Sequence, residues 1–231
     1  MLILIQPMFW LLLYSQLFRR VVDLPGFGTS SYIDFLAPGI AVMTAFFSGT
    51  WAGMGMIEDL DRGVIERFLA TPARRSSLVY SRIVTSASIA VVQAFIILAV
   101  GLALGATNGG VVGWAVILVA AGFVAAGFSG ISNGIALLTR QEATMIAVAN
   151  FIGLPLLFFS SILIARSLIP QWMRDASLVN PVEWAVRAPR EVVIGSTDWA
   201  NVGVYLVALA GFSLVTGAFA TWAFGAYKRQ L

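Results

Sequence analysis

The 231-residue sequence has no cysteine and no histidine. The first absence removes disulfides and thiolate nucleophiles. The second removes histidine general bases, and the two together remove haem ligation and most zinc sites. Charge is scarce, at 11% of residues, where soluble domains carry about 25%. Lysine is almost missing, with Lys228 alone against thirteen arginines. No G-x-x-x-x-G-K-[ST] loop occurs, so a phosphate cradle of that kind is excluded. No basic patch with interleaved aromatics points to nucleic acid, and no internal repeat of about 20–50 residues points to a solenoid. The opening apolar run lacks a basic leader and a small-residue cleavage site, so no cleavable signal peptide is expected.

What is present is apolar: 59% of residues, with a mean hydropathy of +0.91. A helix needs about 20 residues to cross a hydrocarbon core of about 30 Å. Six stretches reach or approach that length: Leu2–Phe18, Phe35–Ile57, Ile83–Gly105, Val111–Leu138, Ala143–Ala165 and Asn201–Tyr227. All 25 charged residues fall outside them. Each stretch is expected to be a transmembrane helix, because in lipid only a helix satisfies its own backbone. The expected fold is therefore all-α and integral to the membrane, a single transmembrane domain over 1–231 with spans at about 2–18, 35–57, 83–105, 111–138, 143–165 and 201–227. Pro7 sits early in the short first span, and Pro155 is expected to kink the fifth. Gly49 and Gly53, Gly101 and Gly105, and Gly130 and Gly134 stand four residues apart, a spacing that lets helices pack closely.

No Asp, Glu, Lys or Arg lies inside a span, which argues against an ion-driven carrier or channel. An intramembrane enzyme would need a catalytic set, and none is present. The polar residues left inside the spans are Gln93, Ser129, Ser132, Asn133, Asn150, Ser160 and Ser161. Interhelical hydrogen bonds are the simpler role for them. A pathway through the bundle would be lined by Gln93, Asn133 and Asn150 with Phe158 and Phe159. Orientation follows from counting Lys and Arg. With the N-terminus inside, eight fall on the inner side and six on the outer. The densest cluster and the C-terminal tail agree, which puts both termini in the cytoplasm.

Eight of the 25 charges crowd into Glu58–Arg75, "EDLDRGVIERFLATPARR". Asp61 is placed to cap a short helix over about 61–71. On it Val64, Ile65, Phe68 and Leu69 share one arc, and Arg62 and Glu66 form an i,i+4 pair on the other side. Thr71 precedes Pro72, which stops the helix, and Arg74 and Arg75 follow at the membrane edge. Balanced charge around an apolar anchor suits docking to a protein partner, with a solvated loop as the alternative. A second polar segment, Arg166–Ala200, holds Trp172, Trp184 and Trp199 among arginines. It suits an interfacial or re-entrant hairpin at the outer surface, either closing the exit or simply covering the helix ends.

Three motifs in order carry a resemblance. The pattern E-x-x-x-R-G-x-x-E-x-x-x-x-T-P-x-R (Glu58, Arg62, Gly63, Glu66, Thr71, Pro72, Arg74) lies between the second and third spans. "QPMFWLLLY" (Gln6–Tyr14) lies in the first, and "IPQWMRDASLVNPVEWAVRAPREV" (Ile169–Val192) lies before the last. Together they resemble the ABC type-2 exporter permeases, the group of the daunorubicin-resistance and polysaccharide exporters. The sequence departs from that pattern at Val64, where the family usually has Thr, and shows no interfacial helix ahead of its first span. The resemblance implies a permease that binds no cofactor, with ATP and Mg²⁺ held by a separate ABC ATP-binding subunit. It also implies a second permease copy or a homologous permease, in the inner (plasma) membrane. The coupling residues it implies are Glu58, Asp61, Arg62, Gly63, Glu66, Arg67, Phe68, Leu69, Thr71 and Pro72. The extracellular gate it implies comprises Trp172, Asn180, Pro181 and Arg190. Spans rich in Phe, Leu, Ile and Ala favour an amphiphilic drug, antibiotic or lipid-like substrate, with a polysaccharide or lipid-linked glycan as the alternative.

Overall fold

The computed structural model describes residues 4–18, 31–69, 76–107, 109–193 and 198–229. Among these, every regular element is helical. Four helices are long and apolar enough to cross a membrane: Tyr32–Asp61, Ser77–Ala103, Gly110–Thr139 and Trp199–Tyr227. The stretches expected as first and fifth spans form shorter helices. The first is α1, Ile5–Leu17, of 13 residues; the fifth is helical only over Glu142–Phe158.

The stretch expected as the second span forms α2 (Tyr32–Thr50) and α3 (Ala52–Asp61), separated by a turn at Trp51. A short helix, α4 (Val64–Leu69), follows, then the long α5 (Ser76–Ala103) and α6 (Gly110–Thr139). Arg140, at φ 53°, turns the chain out of α6. The fifth helix runs through α7 (Glu142–Val148), a π-helical turn at Ala149–Gly153 and α8 (Leu154–Phe158). The widened turn explains how Pro155 is accommodated. It resets the ladder so that Pro155 falls in the first turn of α8, where its missing N–H leaves no rung open. A 3₁₀ turn (Arg166–Leu168), α9 (Gln171–Ser177) and α10 (Pro181–Val193) lead to the final helix, α11 (Trp199–Lys228).

Helix α6 is the centre of the bundle and packs against α2, α3, α5, α10 and α11. Its glycines set the spacing. A Cβ at Gly130 would stand 2.8 Å from the Thr216 backbone of α11, and one at Gly134 would stand 2.4 Å from the Phe219 ring. From the facing helix, a Cβ at Gly49 would meet the Ala125 carbonyl at 2.6 Å. The glycine spacing therefore serves packing within the chain. Gly105 is different: at φ 96° it stands in the turn after α5, with no atom within 4 Å of an added Cβ.

Two apolar clusters result. The larger joins α2, α5, α6 and α10 around Phe46, Ile97 and Ile117. The smaller lies where α3, α4, α5, α6, α7 and α11 meet, and includes Met56, Ile65, Val79, Leu137, Met145 and Phe224.

Candidate functional site

The charged loop between the second and third spans is built differently from the sequence expectation. Asp61 does not cap a new helix; it is the last helical residue of α3, which carries Glu58 and Asp59 out of the span. The chain then turns at Arg62 and Gly63, whose φ of 67° is the left-handed conformation that glycine adopts freely. Arg62 pairs backwards with Glu58 at 2.5 Å, along α3. Arg62 stands before Gly63 and Glu66 after it in α4, so the two do not share one continuous helix as expected. Arg82 of α5 pairs with Asp59 and ties the loop's two flanking helices.

On α4, Ile65 is buried at 1% exposure within the smaller cluster, while Val64 and Arg67 are exposed. The expected arc is thus split: Ile65 seats the helix and Val64 faces out. For Glu66, Phe68 and Leu69 the backbone of α4 alone is described, and Thr71, Pro72, Arg74 and Arg75 lie outside the described residues.

The five residues expected to line a pathway do not converge. Gln93 on α5 and Asn133 on α6 are buried, and Gln93 Oε1 and Asn133 Oδ1 find no donor among the described residues. Asn133 Nδ2 donates to the Ser129 carbonyl and hydroxyl on its own helix. Asn150 and Phe158 point outward from the fifth helix, whose outer face also exposes Phe151 and Ile152. Phe159 packs edge-on against Trp172. Between this helix, α2 and α6 lies an apolar cavity of about 90 Å³, lined by Phe46, Thr50, Phe128, Ser132, Met145 and Gly153 among others.

The segment expected at the outer surface forms the densest polar constellation among the described residues. After Phe158 the chain leaves the helix, although Ser160–Ala165 is apolar enough to continue it. Helix α10 captures the freed backbone. Asn180 caps α10 by accepting from Val182 N–H, and its Nδ2 donates to the Leu156 carbonyl at 2.6 Å. Glu183, 1% exposed, accepts from the Ser161 amide at 2.7 Å and its hydroxyl at 2.9 Å. Arg190 donates to the carbonyls of Ser161 (2.5 Å), Ile162 (2.9 Å) and Phe35 (3.3 Å), and to Ser161 Oγ (2.8 Å). Its guanidinium lies 3.6 Å from the centre of the Phe35 ring. Arg166 reaches Glu183 at 3.8 Å. Burial lowers the Arg190 guanidinium from its ordinary value, and Glu183 opposes the fall.

Asn180, Pro181 and Arg190 therefore come together, while Trp172 stays exposed beside Phe159. The sequence reasoning passed over Glu183, although its spacing of seven from Arg190 puts both on one face of α10, which was the available signal. Buried backbone that leaves a helix needs other protein groups to satisfy it, and α10 supplies them.

The comparisons with known proteins bear on this geometry. The family described as ABC-2 type transporter matches residues 1–194. The chain belongs to the ABC-2 type transporter family. Among relatives, the daunorubicin resistance ABC transporter permease protein DrrB1 of Streptomyces coeruleorubidus is 27% identical over 217 residues, covering 92% of this chain and 75% of that protein. The ycf38 transport permease of Cyanophora paradoxa is 27% identical over 225 residues, covering 91% and 77%. That of Porphyra purpurea is 27% identical over 201 residues, covering 84% and 67%. As an ABC-2 permease the chain is the membrane subunit of a transporter, and family membership implies partnership with an ABC ATP-binding subunit.

Proposed function

We propose that this chain is the permease of an ABC exporter in the inner (plasma) membrane, moving an amphiphilic drug, antibiotic or lipid-like molecule out of the cell. Two copies, or this chain and a homologous permease, form the transmembrane unit, and two separate ABC subunits bind ATP and Mg²⁺. Six helices cross the bilayer with both termini in the cytoplasm, α1 and the fifth helix being the short ones. Helix α4, with Glu58–Arg62 before it and Thr71–Pro72 after it, docks on the ATPase. α10 and the segment it holds close the outer end of the pathway.

The observation that carries the reading is the mounting of α4. Its Ile65 is buried among residues of α3, α5, α6, α7 and α11, so a displacement applied at α4 reaches most of the bundle at once. The daunorubicin-resistance relative and the apolar lining between α2, α6 and the fifth helix support an amphiphilic substrate.

The test is co-purification with the cognate ATPase and ATP-dependent transport in proteoliposomes. Phe68→Asp with Leu69→Asp is expected to reduce ATPase capture at least tenfold while the permease still inserts and elutes as a folded particle. Normal capture and normal stimulated hydrolysis by the double variant would remove α4 as the dock.

A further inference from the structure

The second span is broken at the level of the cavity. α2 ends at Thr50, Trp51 makes a turn, and α3 begins at Ala52. Met54 N–H bonds to the Trp51 carbonyl three residues back, a tightened turn where an α rung would reach four. A hydroxyl from another helix fills the break. Ser132 Oγ on α6 donates to the Thr50 carbonyl at 2.6 Å and accepts from the Gly53 N–H at 2.9 Å. A side chain inserted into a helical ladder is a standard cause of a kink. Here the inserted group belongs to the central helix of the bundle.

We propose that Ser132 is a positioning residue for transport: it splices the broken second span and sets how far α3 and α4 swing against α2. This rests on the reading of α4 as the ATPase dock. Three observations meet at this level. Gly53 brings the two backbones so close that a Cβ there would stand 2.5 Å from the Ser132 carbonyl. The cavity beside Thr50 and Ser132 leaves room for displacement. The π-helical turn at Ala149–Gly153 lines the same cavity from the fifth helix, so both walls depart from regular α-helix there. α3 has ten residues, a lever of about 15 Å, so a swing of about 10° moves its end by about 2–3 Å. That end carries Glu58 and Asp61.

The test uses the permease–ATPase complex with Ser132→Ala, which removes the hydroxyl, and Ser132→Cys, which leaves a larger and weaker hydrogen-bonding group in its place. The expected result is retained ATPase capture, hydrolysis within about twofold of wild type, and about tenfold less substrate moved per ATP, with Ser132→Cys between. A fold defect alone would lower capture, hydrolysis and transport together. The sequence has no cysteine, so spin labels can be placed through Gly55→Cys on α3, where an added Cβ meets only the end of Arg82, and Val207→Cys on α11, in a pair shown to retain transport. Wild type is expected to give a narrow distance that shifts on ATP binding, and Ser132→Ala a broad one that does not. An unchanged transport-to-ATP ratio with an unchanged distance distribution overturns the proposal. If the permease captures no ATPase at all, the function proposed above fails. The width of the distance distribution in the permease alone then decides the splice: broadening by Ser132→Ala supports it, and an unchanged width refutes it. Should Ser132→Ala not fold, Ser132→Gly, which also removes the hydroxyl and adds no thiol, carries the same measurements to the same decision.

Discussion

Replacing Arg190 tests whether the outer segment is held by one side chain. Its guanidinium donates to three backbone carbonyls and the Ser161 hydroxyl, all in a buried site. Arg190→Met keeps the aliphatic bulk and removes every donor. Three buried carbonyls losing a charged donor would each cost about 1–3 kcal/mol if nothing relaxed. Relaxation and water entry recover part of that, while Glu183 keeps a buried charge with only Arg166 nearby at 3.8 Å. Breaking a buried pair from one side costs about 3–5 kcal/mol, and that range is the expected loss. For a chain of this size it corresponds to a melting point lower by roughly 6–20 °C. The assay is thermal unfolding of the purified permease in detergent, with limited proteolysis of the 166–200 segment in proteoliposomes. Arg190→Lys should recover only a fraction, because an ammonium cannot span three carbonyls set around a planar fork. Arg190→Met with Glu183→Gln should be less damaging than Arg190→Met alone. A melting point within about 1 °C of wild type for Arg190→Met would refute the argument that these bonds hold the segment.

Gly130→Val should destabilise the permease by on the order of 1–3 kcal/mol through overpacking against Thr216, whereas Gly211→Ala, with nothing within 4 Å, should be neutral; melting in detergent separates them. Arg82→Gln should cost at most about 1 kcal/mol, because the Asp59–Arg82 pair is partly exposed. The charge-swapped pair Asp59→Arg with Arg82→Asp should recover most of that loss in a melting double-mutant cycle.

Four of the six expected spans were legible because apolar runs free of charge become helices long enough to cross a membrane. The helices outrun those stretches at their ends. α3 carries Glu58 and Asp59 beyond the apolar run, and α5 begins at Ser76, well ahead of Ile83. Apolar character marks what must avoid water, and a helix can continue past it. The end of the fifth helix was not legible for the opposite reason. Ser160–Ala165 reads as more helix, and what unwinds it is Asn180, Glu183 and Arg190, whose partners lie about twenty to thirty residues away in sequence. Asp61 misled because Asp next to a glycine-containing turn fits the end of one helix as well as the start of another; Gly63 at φ 67° decides it. Ser132 belonged to a short set of polar residues expected to bond between helices, and it does. Nothing in the sequence marked its target as a break in α2.

The unequal heights of the helices set a boundary condition on the lipid. Glu142–Phe158 is about 25 Å long, against about 45 Å for the 30-residue α6. Its outward face is apolar at Phe151, Ile152 and Phe158 and polar at Asn150. On the proposed six-span arrangement a bilayer core of about 30 Å meeting that face thins by several ångströms, while beside α6 it need not. On the same arrangement, headgroups of the two leaflets stand closer together beside the fifth helix and the 13-residue α1 than beside α6. An amphiphile crossing there has a shorter oily distance to cover than beside the long helices, and thicker membranes would lengthen it.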